Sequence, residues 1–183
     1  MSCEHFPTHT PETAPAAARP AMAATASHLG YLPTPVRTMA ESPELLSGFL
    51  ELNKRFESST LDALAREVLV LTIATRNACH VCVAMHTGRL TGMGADQSLI
   101  TALRAGAALD EPRLEAVRLF TLELLATSGA ASPEALDAFL AHGYTPRNAL
   151  EVVLGIGTYT LSTLANRLTD AELDEQLAPF AWA

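Results

Sequence analysis

The sequence predicts an all-α protein, and three observations support that fold class. Alanine and leucine dominate a composition that is 49% hydrophobic and 17% charged, whereas aromatic residues make up only 5% of the 183 residues. Alanine and straight-chain residues lose little side-chain freedom in a helix, so this mixture favours helix over strand. Apolar residues recur at helical spacing from Leu61 almost to the last residue, and no segment shows convincing strand alternation bounded by turn residues.

The first part of the chain has a different composition. Residues 1–28 are rich in Pro, Ala and Thr and show almost no apolar periodicity. Because such a segment buries too little surface to offset the entropy lost on ordering, we expect it to be disordered or loosely packed. Residues 29–183 are expected to form a single all-α domain. A helix is predicted to begin after Ser42, a suitable N-cap, with Pro43 at the first helical position.

The next three predicted helices follow one another closely. Residues 60–77 are apolar on nearly every face, which indicates a buried helix. Residues 78–92 continue directly and are expected to stop at Gly92 and Gly94. Residues 95–106 form a short helix that Gly106 can close.

Three further helices complete the prediction. Residues 110–129 carry an apolar stripe that comprises Leu114, Val117, Leu119, Leu122, Leu125 and Ala126. The last two helices are marked by a cap residue followed by proline, at Ser132 and at Thr145. In the final helix, Gly155 and Gly157 are expected to serve tight packing or a subunit contact, because an exposed glycine would weaken the helix.

Charge and hydropathy exclude several function classes. The formal net charge is −8 with scattered acidic residues, which argues against a nucleic-acid-binding surface. The apolar residues 152–165 are too few to span a bilayer and are interrupted by Thr and Ser. Residues 1–28 lack the basic start and continuous apolar stretch of a signal peptide. We therefore expect a soluble, cytoplasmic protein without nucleic-acid or membrane partners.

A cysteine–cysteine–histidine group within residues 77–88, NACHVCVAMHTG, is the strongest chemical signal. Cys79, Cys82 and His86 lie within about 60° of one another on one helix face. A nearby imidazole and the positive end of a helix both lower the pKa of a thiol and so raise its reactivity. Zinc would need a fourth ligand that this segment does not offer. A redox-active dithiol, a zinc site and buried, inert cysteines remain as alternatives on spacing alone.

Glu67 is the second unusual residue. It stands among the apolar Val68, Leu69 and Val70, where an unpaired carboxylate would be costly to bury. It either pairs with a neighbouring arginine (Arg66 or Arg76), faces solvent, or orients His86 from an adjacent helix, as carboxylates do in nucleophile–base–orienter arrangements.

The spacing of Glu67, CHVC (79–82) and His86 resembles the alkylhydroperoxidase D branch of the carboxymuconolactone decarboxylase superfamily. The segment TRNACHVCVAMHTGRL and the later residues 118–168, which close on Asn166–Arg167, are similar to that domain. The resemblance covers roughly residues 40–180. It implies a compact helical fold with the CxxC at the start of a buried helix, assembly into homo-oligomers, and thiol-dependent peroxidase activity.

By the same resemblance, Cys79 and Cys82 would be the redox pair, and His86 and Glu67 would relay protons. Some relatives carry a histidine directly before the second cysteine, where this chain has Val81; His80 lies on another face and does not take over that role. The decarboxylase branch typically lacks the cysteine pair, so decarboxylation is disfavoured.

The leading hypothesis is reduction of a hydroperoxide by the dithiol, with an external dithiol reductant and no metal or cofactor. Cys82 is favoured as the attacking thiolate because His86 stands one turn away, although Cys79 is nearer the helix start. The alternatives are a thiol–disulfide oxidoreductase or redox sensor using the same residues, and a helical oligomer with inert cysteines. Helices that are apolar nearly all round also favour an oligomer.

Overall fold

The computed structural model describes residues 5–182, and within this range the secondary structure is helical with no β-strand. The all-α prediction is thus confirmed. In this described part of the chain, nine α-helices are followed by a short 3₁₀ helix (Glu175–Phe180). The α-helices are α1 (Arg19–Leu29), α2 (Thr34–Met39), α3 (Pro43–Glu57), α4 (Ala63–Arg76), α5 (His80–Gly92), α6 (Gln97–Ala105), α7 (Pro112–Ala126), α8 (Pro133–Ala141) and α9 (Pro146–Leu168).

The predicted helix starts and stops are confirmed by their capping bonds. The side chains of Ser42, Ser132 and Thr145 each accept a hydrogen bond from a backbone N–H of the first turn, and each is followed by proline. Gly106 ends α6 in the left-handed conformation, with φ of 65°. Local sequence chemistry therefore sets these helix ends.

The main core surrounds α4. This helix packs against α5, α6, α7 and α9, and its residues from Glu67 to Ala74 are all buried. The expectation of a buried helix is confirmed. Since α5 follows α4 after a short turn and packs along it, the fold brings the α4 carboxylate and the α5 thiols into one region.

Gly155 and Gly157, paired in the prediction, have different environments. A Cβ atom on Gly155 would lie 2.7 Å from the Phe56 ring and 2.8 Å from a Leu69 methyl carbon. The close approach of α9 to α3 and α4 therefore requires glycine here, as predicted. Gly157 is exposed, and no described atom lies within 4 Å of where its Cβ would be, so it packs against no other part of the described chain. For this residue the other expectation, a subunit contact, stays a prediction.

Residues 5–28 differ from the expected disorder, while residues 1–4 lie outside the described range. Ala14, Ala18 and Met22 are buried in a second apolar cluster with residues of α2, α3 and α9. Ala14 and Ala18 precede α1 and Met22 lies within it, and the small alanines permit close packing. The His9 N–H donates to the Arg37 carbonyl, and the Arg37 side chain donates from Nε to the His9 carbonyl. This packing is hard to see in the sequence because alanine contributes little apolar area.

The stripe predicted for α7 also needs correction. Leu114 and Val117 are buried as expected, but the other buried apolar residues of α7 are Ala116, Phe120 and Leu124. Leu119 is 52% exposed and Ala126 is exposed, whereas Leu122 and Leu125 are half-buried. The buried face follows the 3.6-residue period from Leu114, and Leu119 falls on its far side.

The C-terminal 3₁₀ helix packs against α5. The Arg104 guanidinium donates hydrogen bonds to the backbone carbonyls of Phe180 and Ala181, and the Trp182 indole donates to the Arg104 carbonyl. Among residues 5–182, no helix combines the length and the apolar character needed to cross a membrane.

Candidate active site

The turn between α4 and α5 places Cys79 at the N-cap of α5. Ala78 adopts a left-handed backbone with φ of 51°, and Cys79 returns to an extended conformation with φ of −91°. The Cys79 N–H donates to the Ala74 carbonyl at 3.0 Å, and the Cys79 carbonyl accepts from the Val83 N–H at 2.9 Å. Cys79 thus stands at the positive end of the helix dipole, at the start of a buried helix as predicted.

The two cysteines are free thiols in contact with each other. Their sulfur atoms are 2.8 Å apart, within hydrogen-bond distance and well beyond the bond length of a disulfide, which is about 2.05 Å. Cys79 is 1% exposed and Cys82 is 4% exposed. A dithiol in this position is ready to close to a disulfide after a small movement.

The two thiols differ in acidity. The pKa of Cys79 is lowered to about 7, and the largest cause is the hydrogen bond from the Cys82 side chain. Burial acts in the opposite direction. The Cys82 backbone N–H, the Asn166 amide and the Arg167 charge lower the pKa of Cys79 further. The pKa of Cys82 is raised well above its ordinary value by its hydrogen bond to Cys79, by burial and by the neighbouring charge. At neutral pH about half of the Cys79 side chains are therefore thiolates, while Cys82 stays a thiol.

Glu67 of α4 and His86 of α5 form a buried contact. The Glu67 Oε2 atom lies 2.7 Å from His86 Nδ1, and both residues are at most 3% exposed. Burial tends to raise the pKa of Glu67, but the His86 charge, the His86 hydrogen bond and the Arg89 charge together hold it below its usual range. Of the alternatives drawn from the sequence, the structure brings Glu67 to His86 rather than to solvent.

Arg89 supplies the second partner of this carboxylate. Its Nε atom lies 3.2 Å from Glu67 Oε1, and its terminal nitrogen donates to Glu57 at 2.9 Å. The side chain of Arg89 is 43% exposed. It compensates the buried charge from the solvent side, which is the condition for keeping a carboxylate ionised in an apolar environment.

Three α9 residues complete the site, and the sequence did not single them out as site residues. Tyr159 meets the His86 ring edge to face at a centroid distance of 5.3 Å and donates from its hydroxyl to Asn53 Oδ1 at 2.8 Å. Burial, followed by the Glu67 charge, raises the pKa of Tyr159, so it stays neutral. The Ser162 side chain is the second, and it acts to lower the pKa of Cys82. Asn166 contacts both sulfurs, its Nδ2 atom lying 3.2 Å from Cys82 Sγ and 3.9 Å from Cys79 Sγ.

A signal for these residues is visible in the sequence. Tyr159, Ser162 and Asn166 follow one another at intervals of three and four residues in an otherwise apolar helix, so they share one face. Polar side chains on the buried face of a helix need partners. Here Ser162 and Asn166 meet the cysteines, whereas the Tyr159 ring meets His86 and its hydroxyl bonds to Asn53 of α3.

His80 and Val81 are the two residues between the cysteines. His80 is exposed, consistent with leaving it out of the site, and Val81 is buried. Among the described residues, no group of three or more His, Cys, Asp or Glu side chains is arranged to hold a metal ion.

Comparisons with known proteins give a family and a fold. The model of the carboxymuconolactone decarboxylase family matches residues 43–123, the segment that carries Glu67, both cysteines and His86. A search of the curated proteins by sequence found no match.

Solved structures extend the similarity to nearly the whole chain. One from Ralstonia eutropha JMP134, described as an alkylhydroperoxidase AhpD core and an uncharacterized peroxidase-related protein, has a TM-score of 0.83 at 19% identity and covers 94% of this chain and 93% of that chain. A peroxidase-related protein from Silicibacter sp. TM1040 has a TM-score of 0.79 at 18% identity, covering 96% and 93%.

A third similar structure is the debrominase Bmp8, in a cysteine-to-alanine variant in complex with 2,3,4-tribromopyrrole. It has a TM-score of 0.76 at 16% identity and covers 98% of this chain and 96% of that chain. At these identities the likeness concerns the fold, and the fold thus carries peroxidase-related proteins as well as a debrominase. The resemblance drawn from the sequence is confirmed to this extent: the carboxymuconolactone decarboxylase family model matches residues 43–123, and the chain has the alkylhydroperoxidase D-like fold.

Proposed function

We propose that the protein is a thiol-dependent peroxidase that reduces hydroperoxides through a dithiol–disulfide cycle of Cys79 and Cys82. One observation carries the proposal: the sulfurs lie 2.8 Å apart, and the pKa of Cys79 is lowered to about 7 while that of Cys82 is raised. A thiolate beside a protonated thiol is the pairing that peroxide reduction needs, since one sulfur attacks and the other resolves the product.

The first step is attack of the Cys79 thiolate on the terminal oxygen of the hydroperoxide. The S–O bond forms as the O–O bond breaks, the sulfur is oxidised to a sulfenic acid, and the electron pair leaves on the alkoxide or hydroxide. This leaving group takes from His86 the proton that Nε2 received when the Cys79 thiol ionised, and it departs as an alcohol or water. The sequence alone favours Cys82 as the attacking residue; the acidity of the two thiols favours Cys79.

The second step closes the disulfide. The Cys82 sulfur attacks the sulfenic sulfur of Cys79, and the hydroxyl leaves as water with the Cys82 proton. An external dithiol then reduces the disulfide by exchange and is itself oxidised to a disulfide. We place this cycle in the cytoplasm, where such donors are kept reduced.

His86 and Glu67 are proposed to relay protons. With Nδ1–H donating to Glu67, a neutral His86 keeps an acceptor at Nε2, and the ionised carboxylate stabilises the imidazolium that forms when Nε2 takes a proton. Arg89 holds the carboxylate from its other side and so keeps this tautomer in place.

Burial of both sulfurs favours a small oxidant over a protein disulfide as the substrate. A hydroperoxide can approach a sulfur through a narrow opening, whereas thiol–disulfide exchange with a protein requires three sulfurs in line. The same burial favours a slender, low-molecular-weight dithiol as the reductant. These points rank the peroxidase above the thiol–disulfide oxidoreductase.

The test is turnover of the reduced protein with three oxidants: a small alkyl hydroperoxide, a protein disulfide, and 2,3,4-tribromopyrrole, which the debrominase structure binds. We expect catalytic consumption of the hydroperoxide with a small dithiol as donor, abolished in Cys79→Ser and in Cys82→Ser. Faster turnover of the disulfide or of the bromopyrrole than of the hydroperoxide would contradict the proposal.

We also propose that the protein forms homo-oligomers through α9. Four apolar side chains on this helix are between 50% and 72% exposed and lie within about 60° of one another around the helix axis; they are Leu150, Val153, Leu164 and Leu168. Such a stripe is typical of a helix that packs against a partner. Light scattering should give a mass that is a multiple of 19.4 kDa, and a monomer at low micromolar concentration would contradict this proposal.

A further inference from the structure

We propose that Asn166 is a further catalytic residue, whose side-chain amide donates from Nδ2 to the reactive thiolate and accepts at Oδ1 the O–H of the bound hydroperoxide. The inference rests on the proposed peroxidase function and adds a substrate-binding group to it. It names the feature that the substrate must carry, which is a hydrogen on the oxygen that the thiolate attacks.

The donor half of the proposal rests on the contacts of Nδ2. This atom is 3.2 Å from Cys82 Sγ and 3.9 Å from Cys79 Sγ, so one amide group faces both sulfurs. An amide nitrogen carries two hydrogens and can serve two acceptors. A hydrogen bond to a thiolate stabilises the charged form, and the Asn166 contact accordingly lowers the pKa of each of the two thiols.

The acceptor half rests on the other end of the same amide. Asn166 is 3% exposed, and its Oδ1 atom is buried without a hydrogen-bond partner among the described residues. Buried polar atoms are almost always paired in folded proteins, and the exceptions cluster at functional sites. An unpaired acceptor on the side chain that contacts the reactive sulfurs is suited to a donor that the substrate brings.

The backbone of Asn166 is tied to its neighbours. Asn166 lies in the last turn of α9, where its backbone carbonyl accepts from the Ala171 N–H at 2.9 Å. The adjacent Arg167 donates to the Asn77 carbonyl at 2.7 Å, which joins the end of α9 to the turn that carries Cys79. The backbone that carries the amide is therefore tied to the turn that carries Cys79.

These contacts define the attack geometry. In a hydroperoxide R–O–O–H, the terminal oxygen carries the only peroxide hydrogen. When Oδ1 accepts that hydrogen in a hydrogen bond, the terminal oxygen lies next to the sulfur of Cys79, which Nδ2 of the same amide contacts. The sulfur then bonds this oxygen, the O–O bond breaks, and the pair of electrons leaves with R–O⁻, which takes its proton from His86. The hydrogen bonded to Oδ1 stays on the sulfenic acid.

The test compares two reagents on the reduced protein. A small alkyl hydroperoxide carries an O–H donor, whereas methyl methanethiosulfonate reacts with the same thiolate and has no hydrogen-bond donor. Because both rates scale with the thiolate fraction, the ratio of the two second-order rate constants at one pH reports the acceptor contact. The pH midpoint of the methanethiosulfonate reaction reports the donor contact.

For Asn166→Ala we expect a hydroperoxide-to-methanethiosulfonate ratio about tenfold below that of the wild type, the equivalent of one hydrogen bond of ordinary strength, and a pH midpoint above the wild-type value. Asn166→Leu, which keeps the side-chain volume, should behave in the same way. The control is Asn77→Ala, which removes a hydrogen bond of 2.9 Å from the Asn77 amide to the Thr163 hydroxyl but no sulfur contact. It should leave the ratio of rate constants and the pH midpoint unchanged.

A ratio equal to that of the wild type in both Asn166 variants would overturn the acceptor role, and an unchanged midpoint would overturn the donor role. Failure of the peroxidase proposal itself gives a different result. The wild-type protein would then react with the hydroperoxide no faster than free cysteine does, while the midpoint shift in the Asn166 variants would persist.

Discussion

Replacing Glu67 by Gln removes one negative charge from the site with almost no change in shape. In the native protein, Oε2 lies 2.7 Å from His86 Nδ1 and Oε1 lies 3.2 Å from Arg89 Nε. Both partners are N–H donors, and a carboxylate accepts from both. The amide of Gln offers a single acceptor and an NH₂ group, so one of the two donors must face another donor.

The geometry indicates which contact is lost in Glu67→Gln. Arg89 is permanently charged and cannot become an acceptor, but neutral His86 can change its tautomer and accept from the amide at Nδ1. The hydrogen then resides on Nε2, and the atom proposed to take a proton is no longer able to do so. The charge that would stabilise an imidazolium is lost at the same time.

The size of the effect follows from the bond removed. A hydrogen bond to a charged group contributes about 1.5–3 kcal/mol, and each 1.36 kcal/mol corresponds to about tenfold in rate. We therefore expect the rate constant for hydroperoxide reduction to fall about 10- to 150-fold in Glu67→Gln. The groups that lower the pKa of Cys79 (Cys82, Asn166 and Arg167) are unchanged, so its reaction with methyl methanethiosulfonate should be unaffected.

The assay is rapid quenching of the reduced protein after mixing with hydroperoxide at pH 7.5, followed by mass measurement of the quenched species. Glu57→Gln is the matched control, because it removes the outer carboxylate partner of Arg89 at a half-buried position and leaves the Glu67 contacts in place. A rate for Glu67→Gln within threefold of the wild type would refute the relay. A parallel loss of methanethiosulfonate reactivity would mean that the substitution acts on the thiolate or on the fold.

Two further predictions concern the packing and the acidity of the site. In urea denaturation, the free energy of unfolding of Gly155→Ala should be about 1–3 kcal/mol below that of Gly48→Ala. Both substitutions gain the same helix propensity, but only Gly155→Ala places a Cβ atom 2.7 Å from Phe56. Equal stabilities of the two variants would contradict the close approach of α9. The rate of alkylation of the reduced protein should increase with pH with a midpoint near 7, because the pKa of Cys79 is lowered to about 7 from the usual value of about 8.5 for a thiol. A midpoint near 8.5 would show that Cys79 is an ordinary thiol.

The helices were predictable because their ends are encoded locally. Ser42, Ser132 and Thr145 each combine a capping side chain with a following proline, and the structure uses all three. The buried character of α4 was equally visible in its composition. The errors arose where alanine carries the packing, as at Ala14 and Ala18, or where a stripe was followed loosely around the helix, as for Leu119.

The site was predictable only in part, for a similar reason. The contact between Glu67 and His86 joins residues of consecutive helices, and an isolated carboxylate in an apolar segment pointed to it. Asn166 is 84 residues away from Cys82 in the chain, and only the packing of α9 brings the two together. The difference in acidity between the thiols depends on that packing and on the N-cap position of Cys79, which spacing alone does not give.

The central claim is that Cys79 attacks and Cys82 resolves. The most direct measurement is the intact mass of the reduced protein after one equivalent of hydroperoxide, with peptide mapping of wild type, Cys79→Ser and Cys82→Ser. We expect the wild type to lose two hydrogens within seconds and to yield a Cys79–Cys82 disulfide, while Cys82→Ser accumulates a sulfenic acid on Cys79 and Cys79→Ser reacts slowly. A sulfenic acid trapped on Cys82 instead would reverse the assignment of the two thiols, and an unchanged mass with both thiols unreactive would contradict the redox function.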